Sequence, residues 1–140
     1  MAIQQTLTTS FKEQMLQGQQ DLISDTLYIA LYDAYSTIGP DTTVYTATNE
    51  ISGTGYVAGG IQLQGATINA SSEGVVYVNF TSPSWPNASF TARGALIYNV
   101  TRANASVAVL NFGSDKVCNN QTFTVTMPAN TATTALIRFP

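Results

Sequence analysis

From residue 26 onward, hydrophobic and polar residues follow the two-residue period of β-strands. At 27–32, leucine and isoleucine alternate with tyrosine and alanine, so both faces carry bulk and the strand is expected to be buried on both sides or to lie at an interface. The same pattern predicts six further strands, at 61–69, 75–80, 90–98, 107–112, 122–127 and 135–139. Gly65 shifts the alternation within the first of these six, which indicates a bulge.

The spacing of these strands predicts the fold class. Seven short strands recur every 10–15 residues or so, with turns of Asn, Ser, Gly and Pro between them and no helical pattern. This arrangement favours an all-β, antiparallel β-sandwich, with 1–140 forming a single domain. A jelly roll or a partly open barrel is the competing architecture.

One short helix is predicted near the N-terminus. Ser10 and Glu13 have the spacing of a capping box, an apolar face begins at Phe11, and Gly18 offers an end after about two turns. A helix this short is marginal alone and must dock on the sheet. Residues 1–9, mostly polar and uncharged, are expected to form an extended arm that becomes ordered on a partner.

The segment 33–60 is long and loop-like, and five of the seven tyrosines lie within the first 56 residues. A segment of this length is usually functional, and tyrosine is enriched at interfaces. Trp85, in the turn-rich stretch 82–87, either plugs the core or anchors a contact. Two arginines inside apolar strand patterns either pair at a sheet margin or contact a neighbouring subunit. The predicted contact residues are Tyr32, Tyr35, Tyr45, Tyr56, Trp85, Arg93 and Arg138.

Charge is scarce, at 9% of residues, and 20 threonines, 11 serines and 10 asparagines supply polarity instead. The five basic residues are scattered, which argues against nucleic-acid binding. No apolar run approaches the length of a membrane span, and the first seven residues do not resemble a secretory signal, so a chain made and kept in the cytoplasm is expected.

The sequence offers little for catalysis. Histidine is absent, and the single cysteine, Cys118, has no second thiol for a disulfide or zinc site. The carboxylate pairs Asp21 with Asp25 and Asp41 with Glu50 are weak candidates for acid–base chemistry or calcium, and Asp21 and Asp25 are better explained as caps between helix and strand. No enzyme activity, metal or cofactor is therefore expected.

Two further motifs have simple explanations. The glycine-rich stretch 53–60 lacks the lysine and the flanking helix of a phosphate-binding loop and is interpreted as turns. Asn-x-Ser/Thr sequons, which would mark a glycosylated surface, are expected by chance in a chain of this composition. The six sequon asparagines are Asn69, Asn79, Asn87, Asn99, Asn104 and Asn120.

Several stretches together resemble a family of small virion structural proteins of tailed bacteriophages. These stretches are Ser10-Phe11-Lys12, LYIALY at 27–32, TATNEISGTGYVAGG at 46–60, FTARGALIY at 90–98 and NFGSDK at 111–116. The resemblance implies a β-sandwich subunit of the capsid cement or decoration type, located in the virion and without catalytic residues.

The partners implied by this resemblance are the major capsid protein, at junctions between its subunits, and further copies of the chain in a symmetric oligomer such as a trimer. The expected contact surfaces are 33–60, the arm 1–9 and the Trp85 stretch. A tail, adaptor or fibre subunit is the first alternative. A carbohydrate-binding module, with Trp85 and tyrosines stacked on sugar rings, is the second.

Overall fold

The computed structural model describes residues 3–131 and 133–139 and contains eight strands and one α-helix. The helix α1 is Thr9–Leu16, and a 3-10 turn occupies Val100–Arg102. The strands are β1 Thr6–Leu7, β2 Leu27–Tyr32, β3 Ile61–Gln62, β4 Thr67–Ala70, β5 Val76–Asn79, β6 Ser84–Asn99, β7 Ala105–Thr124 and β8 Ile137–Phe139. They form two antiparallel sheets, ordered β1-β7-β6-β2-β3 and β4-β5-β8, which confirms the predicted all-β class with one short helix.

The long hairpin of β6 and β7 is the central element of the larger sheet. The two strands pair from Ser84 with Thr124, at the open end, to Asn99 with Ala105, next to the turn. The register shifts at several points between these ends. The predicted strand 107–112 and the first half of the predicted strand 122–127 therefore belong to one strand, which ends at Thr124. The polar stretch between them is predicted to be a connection, but its residues 116–119 and 121 pair with β6 and continue the strand.

Trp85 lies inside this hairpin and not in a loop, so the prediction of a turn-rich loop at 82–87 was wrong. The residue pairs with Phe123 across the strands, and its ring is 1% exposed. The predicted strand 61–69 is broken at Gly65, whose φ is 68°. Its two halves, β3 and β4, belong to different sheets, so the chain crosses from one sheet to the other at this glycine.

The helix begins two residues earlier than the capping box suggested. Thr8, not Ser10, is the N-cap, and its Oγ1 accepts a hydrogen bond from the Phe11 N–H at 3.3 Å. Thr8 is held in extended geometry because its own N–H donates to the Val107 carbonyl of β7 at 3.1 Å. A tertiary contact therefore decides which of two capping residues is used.

The described part of the N-terminal arm, residues 3–9, does not extend away from the molecule. Thr6 and Leu7 pair with β7, and Ile3 is only 4% exposed. Ile3 fits because Gly94 has no side chain: a Cβ there would lie 2.7 Å from Ile3 Cδ1. The prediction of an arm that becomes ordered on a partner is thus wrong for these residues.

Two apolar clusters lie on opposite faces of the larger sheet. The first fills the space between the two sheets and includes Ile29, Ile97 and Val107 with Val78 and Ile137 of the smaller sheet. The second lies beneath the segment 33–60, and its buried members are Ile3, Ala30, Tyr32, Ile38, Leu96, Tyr98 and Val109. The strand 27–32 is therefore buried on both faces, as its pattern predicted.

Gly60 brings the segment 33–60 back into the sheet and cannot be replaced without displacing β2. Its φ is 82°, and a Cβ would lie 1.8 Å from the Ile29 carbonyl oxygen. Gly74 has a similar φ of 89° but has open space around its Cβ position. Substitution at Gly74 therefore tests the backbone strain of a positive φ alone, whereas substitution at Gly60 adds a steric clash to that strain.

We expect Gly74→Ala to lower the free energy of unfolding by about 1 kcal/mol through backbone strain alone. Gly60→Ala should lower it by ~3 kcal/mol more, because the added methyl overlaps the β2 backbone. Urea denaturation of the two variants measures the difference. Equal losses would contradict the close approach of Gly60 to β2.

Candidate functional site

The predicted contact residues occupy very different environments. Tyr32 and Trp85 are 0% and 1% exposed, whereas Tyr35 is 81% exposed. Tyr45 and Tyr56 are half-buried. Of the seven predicted residues, Tyr35 therefore presents the most accessible ring for a contact.

Tyr32 and Trp85 are buried and do not lie on a contact surface, so the prediction that they are contact residues is wrong. The Tyr32 hydroxyl donates a 2.6 Å hydrogen bond to the Thr46 carbonyl beneath the covering segment. The Trp85 ring packs within 6.4 Å of Tyr56 and 5.9 Å of Phe123, measured between ring centroids. Of the two roles considered for Trp85, the structure shows the core plug.

The two arginines lie in different surroundings. Arg93 pairs with Asp115 on the neighbouring strand at 3.3 Å, with side chains 35% and 53% exposed. This is the sheet-margin pairing, and a pair this exposed contributes little to stability. Arg138 is exposed on β8, opposite Tyr77 of β5 in the register.

The Glu50 carboxylate is the centre of the segment 33–60, which we call the contact loop. Its Oε1 accepts a hydrogen bond from the Tyr45 hydroxyl at 2.5 Å. Its Oε2 accepts one from the Tyr56 hydroxyl and one from the Gly59 N–H, the latter at 2.7 Å. A carboxylate with three donors is strongly held, because hydrogen bonds to a charged acceptor are about twice as strong as neutral ones.

The hydroxyls around Glu50 continue the network into the sheet. Tyr56 Oη accepts a hydrogen bond from the Leu31 N–H at 3.0 Å, and the Tyr98 hydroxyl donates to the Gly59 carbonyl at 2.6 Å. The rings of Tyr45 and Tyr98 stack with centroids 4.8 Å apart. Strand β2, strand β6 and the contact loop are thus joined through one carboxylate.

This environment disfavours ionisation of the tyrosines. Burial, reinforced by the hydrogen bond to Glu50, raises the pKa of Tyr56 and of Tyr45 well above the ordinary value. Burial and the nearby Glu50 charge raise the pKa of Tyr32 in the same direction and that of Tyr98 to about 12. These hydroxyls serve as hydrogen-bond donors that hold the loop.

Backbone contacts fix the contact loop at several further points. Tyr32 bridges to Glu50, Val44 to Ala105 and Thr54 to Ser89. On this fixed loop, three large apolar side chains project into solvent: Tyr35 at 81%, Val57 at 72% and Val44 at 50% exposure. The loop is therefore a rigid surface that displays apolar groups.

Sequence reasoning considered Glu50 only as a weak partner of Asp41 in acid–base chemistry. The available signal was that Glu50 is the one carboxylate between residues 42 and 72, in a stretch rich in tyrosine and glycine. That signal did not reveal which groups donate to it, because the fold of the loop decides that Tyr45, Tyr56 and the Gly59 N–H face the carboxylate. Both Glu50 oxygens are used in holding the loop, so its evident role is structural.

Asp21 and Asp25 act as caps, the interpretation favoured from sequence. Asp21 Oδ1 accepts the Ile23 and Ser24 N–H groups at 3.0 and 3.1 Å, and these bonds hold its pKa below the ordinary value. Burial works to raise the pKa of Asp25, but the Arg102 guanidinium at 2.8 Å, the Asp21 N–H and the Asn99 amide together outweigh it, and the pKa is lowered. Residues 3–131 and 133–139 hold no group of three or more metal-ligating side chains.

Five of the six sequon asparagines either lie in the core or have a positive φ. Asn79 and Asn99 are 6% and 0% exposed, and their side-chain amides donate hydrogen bonds inside the molecule. Asn87, Asn104 and Asn120 are exposed and have positive φ, a conformation in which asparagine is enriched. Backbone geometry and core packing thus explain five of the six asparagines without glycans.

Comparison of the chain with family models, with curated proteins and with solved structures found no match. The described part of the chain contains no helix long and apolar enough to cross a membrane.

Glu50→Gln should destabilise the protein, because the amide carries only one acceptor oxygen for three donors and no charge. The expected loss in free energy of unfolding is about 2 kcal/mol, set by the strength of hydrogen bonds to charged groups. The matched control is Glu73→Gln, which changes an exposed carboxylate in a turn. Urea denaturation of both variants tests this, and equal effects would contradict the central role of Glu50.

The raised tyrosine pKa values predict alkaline unfolding. Unfolded tyrosines ionise near pH 10 and the folded ones only at higher pH, so the stabilisation is complete below pH 10 and is lost as pH rises toward 12. Tyr56→Phe should reduce the slope with which the free energy of unfolding falls as pH rises, by up to ~1.4 kcal/mol per pH unit. Tyr35→Phe, at an exposed ring, should follow the wild-type profile.

Denaturant unfolding at pH steps from 8 to 11.5 measures both profiles. If the free energy of unfolding fell with the same slope in Tyr56→Phe and in the wild-type protein, ionisation of this tyrosine would not be linked to folding.

Proposed function

We propose that this protein is a virion structural subunit of a tailed phage, a capsid cement or decoration protein that binds at junctions between major capsid subunits. The observation that carries the proposal is the contact loop, fixed by Glu50, with Tyr35 and Val57 projecting into solvent. The sequence resemblance supports the same role. The protein would be made in the host cytoplasm and located in the virion.

The rigidity of the contact loop supports a binding role. When the loop is already ordered, binding does not lose the conformational entropy of ordering it. More of the free energy of contact then appears as affinity. Tyrosine adds a large contact area at low entropic cost, because its ring has only two side-chain torsions. Tyr35 fits the role of an anchor that fills a pocket on a neighbour.

The surface chemistry supports partners recognised by shape and not by charge. With 5 basic and 8 acidic residues, the net charge is −3, and Asp25, Arg102, Arg93 and Asp115 are paired within the chain. Such a surface can pack against a protein shell without desolvating many ions, which is costly. Exposed hydroxyls and amides can supply hydrogen bonds at the rim of the contact.

The alternatives are affected differently by the structure. A tail, adaptor or fibre subunit could use the same contact loop, and only its position in a particle separates it from a cement protein. A carbohydrate-binding module loses its main candidate for sugar stacking, because Trp85 is 1% exposed.

Cryo-electron microscopy of purified particles from cells producing the protein tests the proposal. Density for the two-sheet domain at capsid junctions, with the contact loop toward the shell, is the expected result. Density confined to tail or fibre positions would replace the cement role with the alternative. A particle that lacks the protein would overturn both.

Removal of the exposed loop side chains should weaken attachment. We expect the double variant Tyr35→Ser with Val57→Ser to bind to shells stripped of the protein at least about tenfold more weakly, the loss of ~1.4 kcal/mol typical of interface anchors. The control is Ile68→Ser, which removes a 51% exposed side chain from the smaller sheet. Co-sedimentation with the shells measures both, and equal binding would exclude the contact loop as the attachment surface.

A further inference from the structure

The outer edge of β7 is open over most of its length. On one side, β7 pairs with β6 at 105–111 and again at 116–124, with a gap in the pairing at 112–115. On the other side, β1 pairs only with Ala108 and Val109. Within residues 3–131 and 133–139, no strand pairs with the outer edge of 112–124.

Charged residues, proline and bulges normally prevent strands from joining at an exposed edge. The edge 112–124 contains no proline, but it includes Lys116 and bulges where the register with β6 shifts. The strands at the ends of the two sheets, β1, β3, β4 and β8, are two to four residues long. In contrast, 117–124 reads VCNNQTFT, without charge or proline, and Val117 is 75% exposed.

An apolar groove of about 390 Å³ runs beside the same strand. Phe112 and Phe123 of β7 form part of its wall, and both rings are only partly buried. Met127, Pro128 and Leu136 line it as well. A strand added to the open edge would thus find backbone groups to pair with and an apolar groove beside them, the two elements of strand-addition recognition.

We propose that the occupant is a second copy of this chain, with the two β7 strands pairing antiparallel about a two-fold axis. A two-fold contact places the same strand against itself, so the strand must be self-complementary. The stretch 117–124 satisfies this, because it brings no like charges together. The adjacent Asp115 and Lys116 have opposite signs, so this end of the strand adds no net charge to the shared edge.

The dimer differs from the expected trimer. Two-fold pairing of β7 joins the two larger sheets into one continuous sheet and closes at two subunits. A trimer would instead need β7 to meet a different surface of the next subunit. The inference concerns the isolated chain and does not depend on the proposed function: a protein that binds shells as a monomer would contradict the dimer and leave the cement role standing.

Analytical ultracentrifugation of the isolated protein is the first test. The wild-type chain should sediment as a dimer at micromolar concentration. Val117→Lys should raise the dimer dissociation constant at least about tenfold, because a lysine on an edge strand opposes pairing with another strand. Thr91→Lys is the matched control, since Thr91 is exposed and pairs directly with Val117 but lies on β6, on the side of β7 away from the open edge.

Disulfide formation locates the contact independently of charge. In a Cys118→Ser background, single cysteines are placed in turn at Val117, Asn119 and Gln121. A two-fold axis brings only the residue nearest to it opposite its own copy, so the cysteine nearest the axis should form cross-linked dimers at least tenfold faster than a cysteine at Ile68 on the edge of the smaller sheet. Circular dichroism checks that each variant folds. A monomer at high concentration, a trimer, or faster cross-linking at Ile68 would each overturn the inference.

Discussion

The arrangement of the contact loop depends on the hydrogen bonds that the Glu50 carboxylate accepts. Tyr45, Tyr56 and the Gly59 N–H all donate to it, from three different points of the loop. A loop of this length loses much conformational entropy on ordering, and its own apolar content is small. A single charged acceptor shared by several donors offsets that cost, because each bond restrains a different part of the chain.

The ordered loop in turn makes the larger sheet a two-sided layer. Without it, Tyr32, Leu96 and Tyr98 would face water on the outer side of the sheet. With it, the sheet is covered by the smaller sheet on one face and by the loop and N-terminal segment on the other. Antiparallel sheets commonly leave one face in solvent, so continuous apolar strands such as β2 indicate a second cover.

The sequence predicted what depends on local alternation and missed what depends on distant pairing. The strand 27–32 and its two buried faces follow from residue types alone, whereas the strand character of 116–121 comes from pairing with β6. Alternation also cannot tell whether a given tyrosine will be covered. Tyr32 and Tyr35 are three residues apart with the same side chain, yet one is in the core and the other is 81% exposed.

Several of the few charged side chains of this protein are used in contacts within the chain. Asp25 with Arg102 and Arg93 with Asp115 are paired internally, while Glu50 holds the contact loop. The three exposed apolar side chains of the loop and the stretch 117–124 of β7 carry no charge themselves. Contacts of this kind lack long-range attraction and gain affinity from close packing and backbone pairing, which favours a subunit held permanently among neighbours over one that finds a charged ligand in solution.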